Sequence, residues 1–147
     1  MPISSDPGAR VPHFLVDDIS VPIRNDADVV AARRLGRSVA EEGGFGGADA
    51  TMIATAISEL ARNILKYADE GEILVEPVQR NSQAGVVVVA RDDGPGIVDV
   101  GLAMQDGFST ASSLGLGLPG TRRLMDEFEI VSSPGSGTVV RAIKWLR

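Results

Sequence analysis

The stretch DGFSTASSLGLGLPGTRRLM, residues 106–125, decides between two folds. Gly115, Gly117 and Gly120 satisfy the G-x-G-x-x-G spacing by which a dinucleotide-binding loop leaves a parallel strand and enters a helix. Such a loop needs a hydrophobic strand directly before its first glycine, and DGFSTASS is polar and does not read as a strand. The spacing therefore speaks for backbone access, either for a phosphate or for a flexible connection into a helix, and against a dinucleotide fold. A P-loop is excluded too, because no G-K-[ST] occurs and the only lysines are Lys66 and Lys144.

The flanking segments agree with that choice. FLVDDISVPI (14–23) alternates enough to predict an edge strand, and DADVVAARRLGRSVAEEGG predicts a helix capped by Asp26 and ending at Gly43 or Gly44. In GADATMIATAISELARNILKYADEG, apolar residues recur at Ile53, Ile57, Leu60 and Ile64, and again at Met52, Ala56, Ala61 and Leu65, which is helical spacing over several turns. EILVEPVQR and VVVVARD read as one hairpin across the Asn81–Gly85 turn. PGTRRLMDEF predicts a helix, and EIVSS with TVVRAIKW predicts a second hairpin across Pro134–Gly137. Strands in meander pairs with helices between them predict an α/β (α+β) two-layer sandwich, a mixed, mostly antiparallel sheet with helices packed on one face.

Composition narrows the chemistry. The chain has 147 residues, 44% of them apolar, which is one domain's worth with material for a core. The expected organisation is a flexible arm over residues 1–12 and a single domain over 13–147. MPISSDPGAR lacks the charged-then-apolar pattern of a secretory signal, and no apolar run reaches about 18 residues, so the expectation is a cytoplasmic protein with no membrane contact. Cysteine is absent and His13 is the one histidine, which excludes disulfides, thiol nucleophiles and sites built on two imidazoles. Hard-cation chemistry on oxygen ligands is what remains. A net charge of −6 has the wrong sign for neutralising phosphates, so no nucleic-acid partner is expected.

Two further motifs carry chemistry. Glu59 and Asn63 are an i, i+4 pair on the polar margin of the Ile53, Ile57, Leu60, Ile64 stripe. The Asn oxygen suits a magnesium ion that takes its other ligands from phosphates and water, and a Glu one turn earlier could orient or deprotonate a nucleophile; a solvated helix edge is the alternative. VVVVARDDGPGI ends a strand with Asp92, Asp93, Gly94, Pro95 and Gly96. A carboxylate there can accept from an exocyclic amine, with Gly94 and Gly96 letting the backbone approach a flat ring, or the five residues form a turn. Arg33, Arg34 and Arg37 read as a charged solvent face, Arg122 and Arg123 as a surface pair, and Trp145 as core or edge packing.

Taken together, E-L-A-R-N at 59–63, D-D-G-P-G at 92–96 and G-L-G-L-P-G at 115–120 resemble the N box and the two glycine boxes of the GHKL, or Bergerat-fold, ATP-binding domains. More narrowly, SELARNILKYA, DDGPGI, Ser109-Thr110, GLGLPG and RRLMDEF look like the small bacterial anti-sigma-factor serine kinases, in particular the RsbT-type switch kinases of stressosome and sigma-regulation modules. The resemblance runs from about residue 14 to the end. It implies a kinase for serine or threonine on STAS-domain partner proteins, which binds a PP2C-type phosphatase activator when released. Its cofactors would be ATP and Mg2+. It further implies that Asp92 binds the adenine amine, Asn63 ligates magnesium and Glu59 is the base. Gly94 and Gly96 would line the adenine pocket, and Thr138 would support the adenine contact. Gly115, Leu116, Gly117, Leu118 and Gly120 would wrap the phosphates. Residues 97–114 would be an ATP lid, with Ser109 and Thr110 placed to donate to phosphate. A non-catalytic regulator that binds nucleotide and sequesters its partner, of the anti-sigma-factor type, is the rival reading.

Overall fold

The structure is a computed structural model that describes residues 20–97, 100–105 and 117–147. In chain order its elements are β1 (Ser20–Ile23), α1 (Asp26–Glu42), α2 (Gly47–Ala68), β2 (Gly71–Arg80), β3 (Gln83–Asp92), the single turn α3 (Val100–Ala103), α4 (Gly117–Leu124), β4 (Glu127–Ser132) and β5 (Thr138–Trp145). The strands form one sheet in the order β1-β2-β3-β5-β4, antiparallel at each of its four pairings. The expected two-layer α/β sandwich is the architecture found. The N-terminal arm and the stretch 14–19 of the first expected strand lie outside the described residues.

Helix α1 starts one residue earlier in its capping than the sequence suggests. Asn25, not Asp26, is the N-cap: its backbone is extended and its side chain accepts the Asp28 N–H at 3.0 Å. Asp26 and Asp28 then fall in the first turn, where carboxylates complement the helix dipole. The other end falls at Gly43 as expected. Against the sheet, α1 turns Val29, Ala32, Gly36, Val39 and Ala40 inward. Gly36 is the point of closest approach to α2, since a Cβ there would lie 2.0 Å from Ile57 Cδ1.

Of the two rows read in the sequence, helix α2 leaves Met52 exposed and Leu65 partly buried, and it buries Ile53, Ala56, Ile57, Leu60, Ala61 and Ile64. These side chains meet Ile73 and Val75 of β2, Val86, Val88 and Ala90 of β3, and Val140 and Ala142 of β5 in one core. Period-two alternation puts Val78, Val87, Ile143 and Trp145 on the opposite sheet face, where they form a second, smaller cluster. Trp145 is tied there by its indole N–H, which donates to Glu127 at 2.7 Å, and by the Arg80 guanidinium 4.9 Å from the ring centroid.

Helix α4 is shorter than its sequence suggests. Residues 127 and 128, expected as helix, are strand, because β5 captures the chain as soon as α4 ends. The Asp126 N–H donates to the Ile143 carbonyl, the Asp126 carboxylate accepts the Trp145 N–H, and Phe128 pairs with Ala142. Lys144, buried, donates its ammonium to the Leu124 carbonyl at 3.0 Å and so satisfies an orphan acceptor at the helix end.

Asp126 couples this junction to pH. Burial alone pushes its carboxyl up. Hydrogen bonds from the Arg147 side chain and the Trp145 N–H, with the charges of Lys144 and Arg147, outweigh that effect and hold it below its ordinary value. A carboxyl depressed in the folded state adds stability above the ordinary carboxylate range and loses it as pH falls through the folded value. Asp126→Asn is therefore expected to lower the urea-unfolding midpoint at about pH 7, with the gap to wild type closing as pH falls below about 4.

Candidate functional site

Every sequence-predicted site residue within the described chain lies on α2, at the joined ends of β3 and β5, or in α4. On α2, Glu59 and Asn63 share one face, as i, i+4 spacing requires. Glu59 sits deeper than a solvated edge would place it, at 8% exposure, while Asn63 is half-buried. Arg62 reaches back one turn and donates to Glu59 Oε2 at 2.7 Å.

Asp92 is the last residue of β3, set between Gly71 of β2 and Thr138 of β5. Its Oδ1 accepts the Gly94 N–H at 2.9 Å, closing a tight turn that orients the carboxylate. No other hydrogen bond from the described residues reaches this carboxylate, which leaves Oδ2 with its acceptor capacity unused. Gly71 brings the two halves of the site together: a Cβ there would lie 2.9 Å from Ile64 Cγ2, beside Asn63, and 3.1 Å from Asp92 Cβ.

The glycines after Asp92 meet protein at their Cα atoms. A Cβ on Gly94 would fall 2.5 Å from the Ala68 Cβ at the end of α2. Gly96, at φ +79°, would strike the Ser133 carbonyl at 2.0 Å. From the other side the Gly135 N–H donates to the Pro95 carbonyl at 2.7 Å, and Gly137 lies against the Asp92 carbonyl. The DDGPG turn and the β4–β5 turn are thus interlocked, and glycine is needed for that contact whatever else it admits.

Ser132 is the residue the sequence reading missed here. Its hydroxyl accepts the Ile97 N–H at 2.7 Å, donates to the Gly137 carbonyl at 3.0 Å and lies 2.7 Å from Thr138 Oγ1. It joins the strand end, the turn and Thr138 opposite Asp92. The available signal was a hydroxyl residue closing a strand just before a P-G-S-G-T turn. Tyr67, 60% exposed, also escaped notice although it lies four residues beyond Asn63 on the same face. The Lys66 ammonium stands 5.2 Å from its ring centroid.

In α4, Gly117 opens the helix at φ +72° and Gly120 is buried, with Leu118 packed against the core. Thr121, fully buried, donates to the Gly117 carbonyl at 2.8 Å and stiffens the first turn. Pro119 suits a first turn, where no N–H bond is forfeited. Ser109, Thr110, Gly115 and Leu116 lie outside the described residues.

A groove of about 600 Å³ runs along the β1 edge past Ser20, Arg24, Glu72 and Arg91 to Asp92 and Asp93. It reaches the site from the strand-end side, and neither Glu59 nor Asn63 lines it. Among the described residues no three carboxylates or imidazoles are grouped to hold a metal. No helix in them is long and apolar enough to cross a membrane.

A face of α2 presenting Glu59 and Asn63, the β3 end at Asp92 and the glycine-led α4 are thus set on one antiparallel sheet. Residues 23–144 match the histidine kinase-like ATPase domain, and the chain belongs to that family. Membership implies use of ATP. Within it, the chain is 54% identical over 131 residues to the serine/threonine-protein kinase RsbT of Bacillus subtilis (strain 168), covering 89% of this chain and 98% of that protein. It is 35% identical over 100 residues to the anti-sigma F factor of Caldanaerobacter subterraneus subsp. tengcongensis, covering 64% of this chain and 68% of that one. The anti-sigma F factor of Thermoanaerobacter sp. (strain X514) is 33% identical over 98 residues with the same coverage.

Proposed function

We propose that this chain is an ATP-dependent protein serine/threonine kinase acting on STAS-domain partners in a partner-switching module of the cytoplasm, and that it engages a PP2C-type phosphatase activator once released from them. The observation that carries the reading is the pairing of a buried, ion-paired Glu59 with Asn63 on one helical face, with an oriented Asp92 carboxylate at the end of β3. A regulator that only bound nucleotide would have no use for a held carboxylate beside the metal position. The similarity to RsbT across nearly the whole of that protein supports the kinase. The anti-sigma F relatives, at lower identity and over two thirds of their length, support the sequestering alternative less well.

The roles follow from the chemistry. Asp92 Oδ2 accepts from the adenine amine, and Thr138, braced by Ser132, supports that contact. The carboxamide oxygen of Asn63 would hold Mg2+, which would supply neutralisation of the phosphate charge. Gly117, Leu118 and Gly120 present the N-terminal turn of α4 to the phosphates, where free N–H groups and the helix dipole favour anions. Gly115, Leu116, Ser109 and Thr110, which lie outside the described residues, are assigned to the same phosphates by the family resemblance. Glu59 takes the proton from the substrate hydroxyl, whose oxygen bonds to the γ-phosphorus as the bond from that phosphorus to the β–γ bridging oxygen breaks. The products are the phosphorylated side chain and ADP, and the proton passes from Glu59 to solvent. The test is to mix the full chain with Mg-ATP and a purified STAS-domain protein and record intact masses. Gain of one phosphoryl group on the STAS protein is the expected result, and ATP binding without any transfer would favour the sequestering regulator.

A further inference from the structure

The geometry points to Arg62 as the residue that positions Glu59, an inference that rests on the proposed role of Glu59 as base. The two side chains differ sharply in exposure: the Glu59 carboxylate side chain is 10% exposed and the Arg62 side chain 58%, yet they meet at 2.7 Å. An ordinary ion pair between exposed groups on a helix contributes little and leaves both side chains free to rotate. Here one partner is enclosed, and the other reaches from the rim to grip it.

At about 100° per residue, Asn63 lies on one side of Glu59 and Arg62 on the other. The carboxylate is therefore bracketed between the proposed metal ligand and a guanidinium. A carboxylate on a side chain with three rotatable bonds must be held within hydrogen-bond reach of the hydroxyl it deprotonates, and a misplacement of about 1 Å can cost about a hundredfold in rate. Arg62 supplies that restraint with a planar, permanently charged group. It touches Glu59 and acts through it, so it is a positioning residue and not a catalytic one.

The test compares wild type, Arg62→Ala, Arg62→Lys, Glu59→Ala and the double variant in Mg-ATP phosphotransfer to a purified STAS-domain protein. ATP affinity is measured alongside by calorimetry. Arg62→Ala is expected to lower kcat about tenfold to a hundredfold with the KM for ATP unchanged, and Arg62→Lys to restore much of kcat. The double variant should be no slower than Glu59→Ala, because two residues acting through one carboxylate are not additive. If Glu59→Ala itself retains full kcat, the base assignment fails. If Glu59→Ala is inactive while Arg62→Ala keeps wild-type kcat, or weakens ATP binding instead of turnover, the positioning role is overturned and the base stands.

Discussion

Glu59→Ala is expected to lower the rate of phosphoryl transfer by about a hundredfold to ten-thousandfold, the usual contribution of a positioned general base. ATP affinity should stay within about twofold of wild type, since Glu59 is assigned to the hydroxyl proton and not to the nucleotide. The variant should fold normally: alanine is the best helix former, and the Arg62 charge left behind is exposed to water. Single-turnover transfer to a STAS-domain protein, with calorimetric ATP binding on the same preparation, separates the two effects. Loss of ATP binding in parallel with transfer would move Glu59 from chemistry to nucleotide recognition.

Asp92→Asn should instead act on binding. Asparagine keeps an oxygen to accept the Gly94 N–H, so the turn that orients the side chain survives. Its NH2 group then replaces Oδ2 and faces the adenine amine, donor against donor. Losing a hydrogen bond to a charged group costs about 1.5–3 kcal/mol, which corresponds to ATP binding weaker by about tenfold to a hundredfold at about 1.4 kcal/mol per decade. The loss should appear in Kd and in the KM for ATP. Tight ATP binding by this variant, measured by calorimetry, would remove Asp92 from the adenine site.

The positions of these two residues were legible in the sequence because Glu59 lies within a strong periodic pattern and Asp92 at the end of one. Helical spacing from Ile53 to Ile64 placed Glu59 and Asn63 on one face, and the β-branched run before Asp92 placed it at a strand end. The sheet was legible for the same reason, as was the exclusion of a dinucleotide fold by the polar residues before Gly115. What escaped the sequence depends on contacts between distant segments. The cap at Asn25 in place of Asp26 is a local choice between adjacent good cappers. The early end of α4 follows from capture by β5, whose Ile143 carbonyl and Trp145 N–H take up Asp126. For Gly94 and Gly96 the sequence allows both an opening for a ring and a turn, and the contacts of Ala68 and Ser133 against them come from other elements. Ser132 carries no motif, and its place becomes visible only when the two turns interlock.

In the proposed complex one nucleotide spans from the Asp92 carboxylate at the end of β3 to Asn63 on α2. A crystal structure of the chain with Mg2+ and a non-hydrolysable ATP analogue tests that placement most directly. Expected are the adenine amine within hydrogen-bond distance of Asp92 Oδ2, the metal on the Asn63 carboxamide oxygen, and the terminal phosphate on the side of α2 that carries Glu59. Nucleotide seated instead in the groove along β1, between Arg24 and Glu72 and away from Asn63, would contradict it.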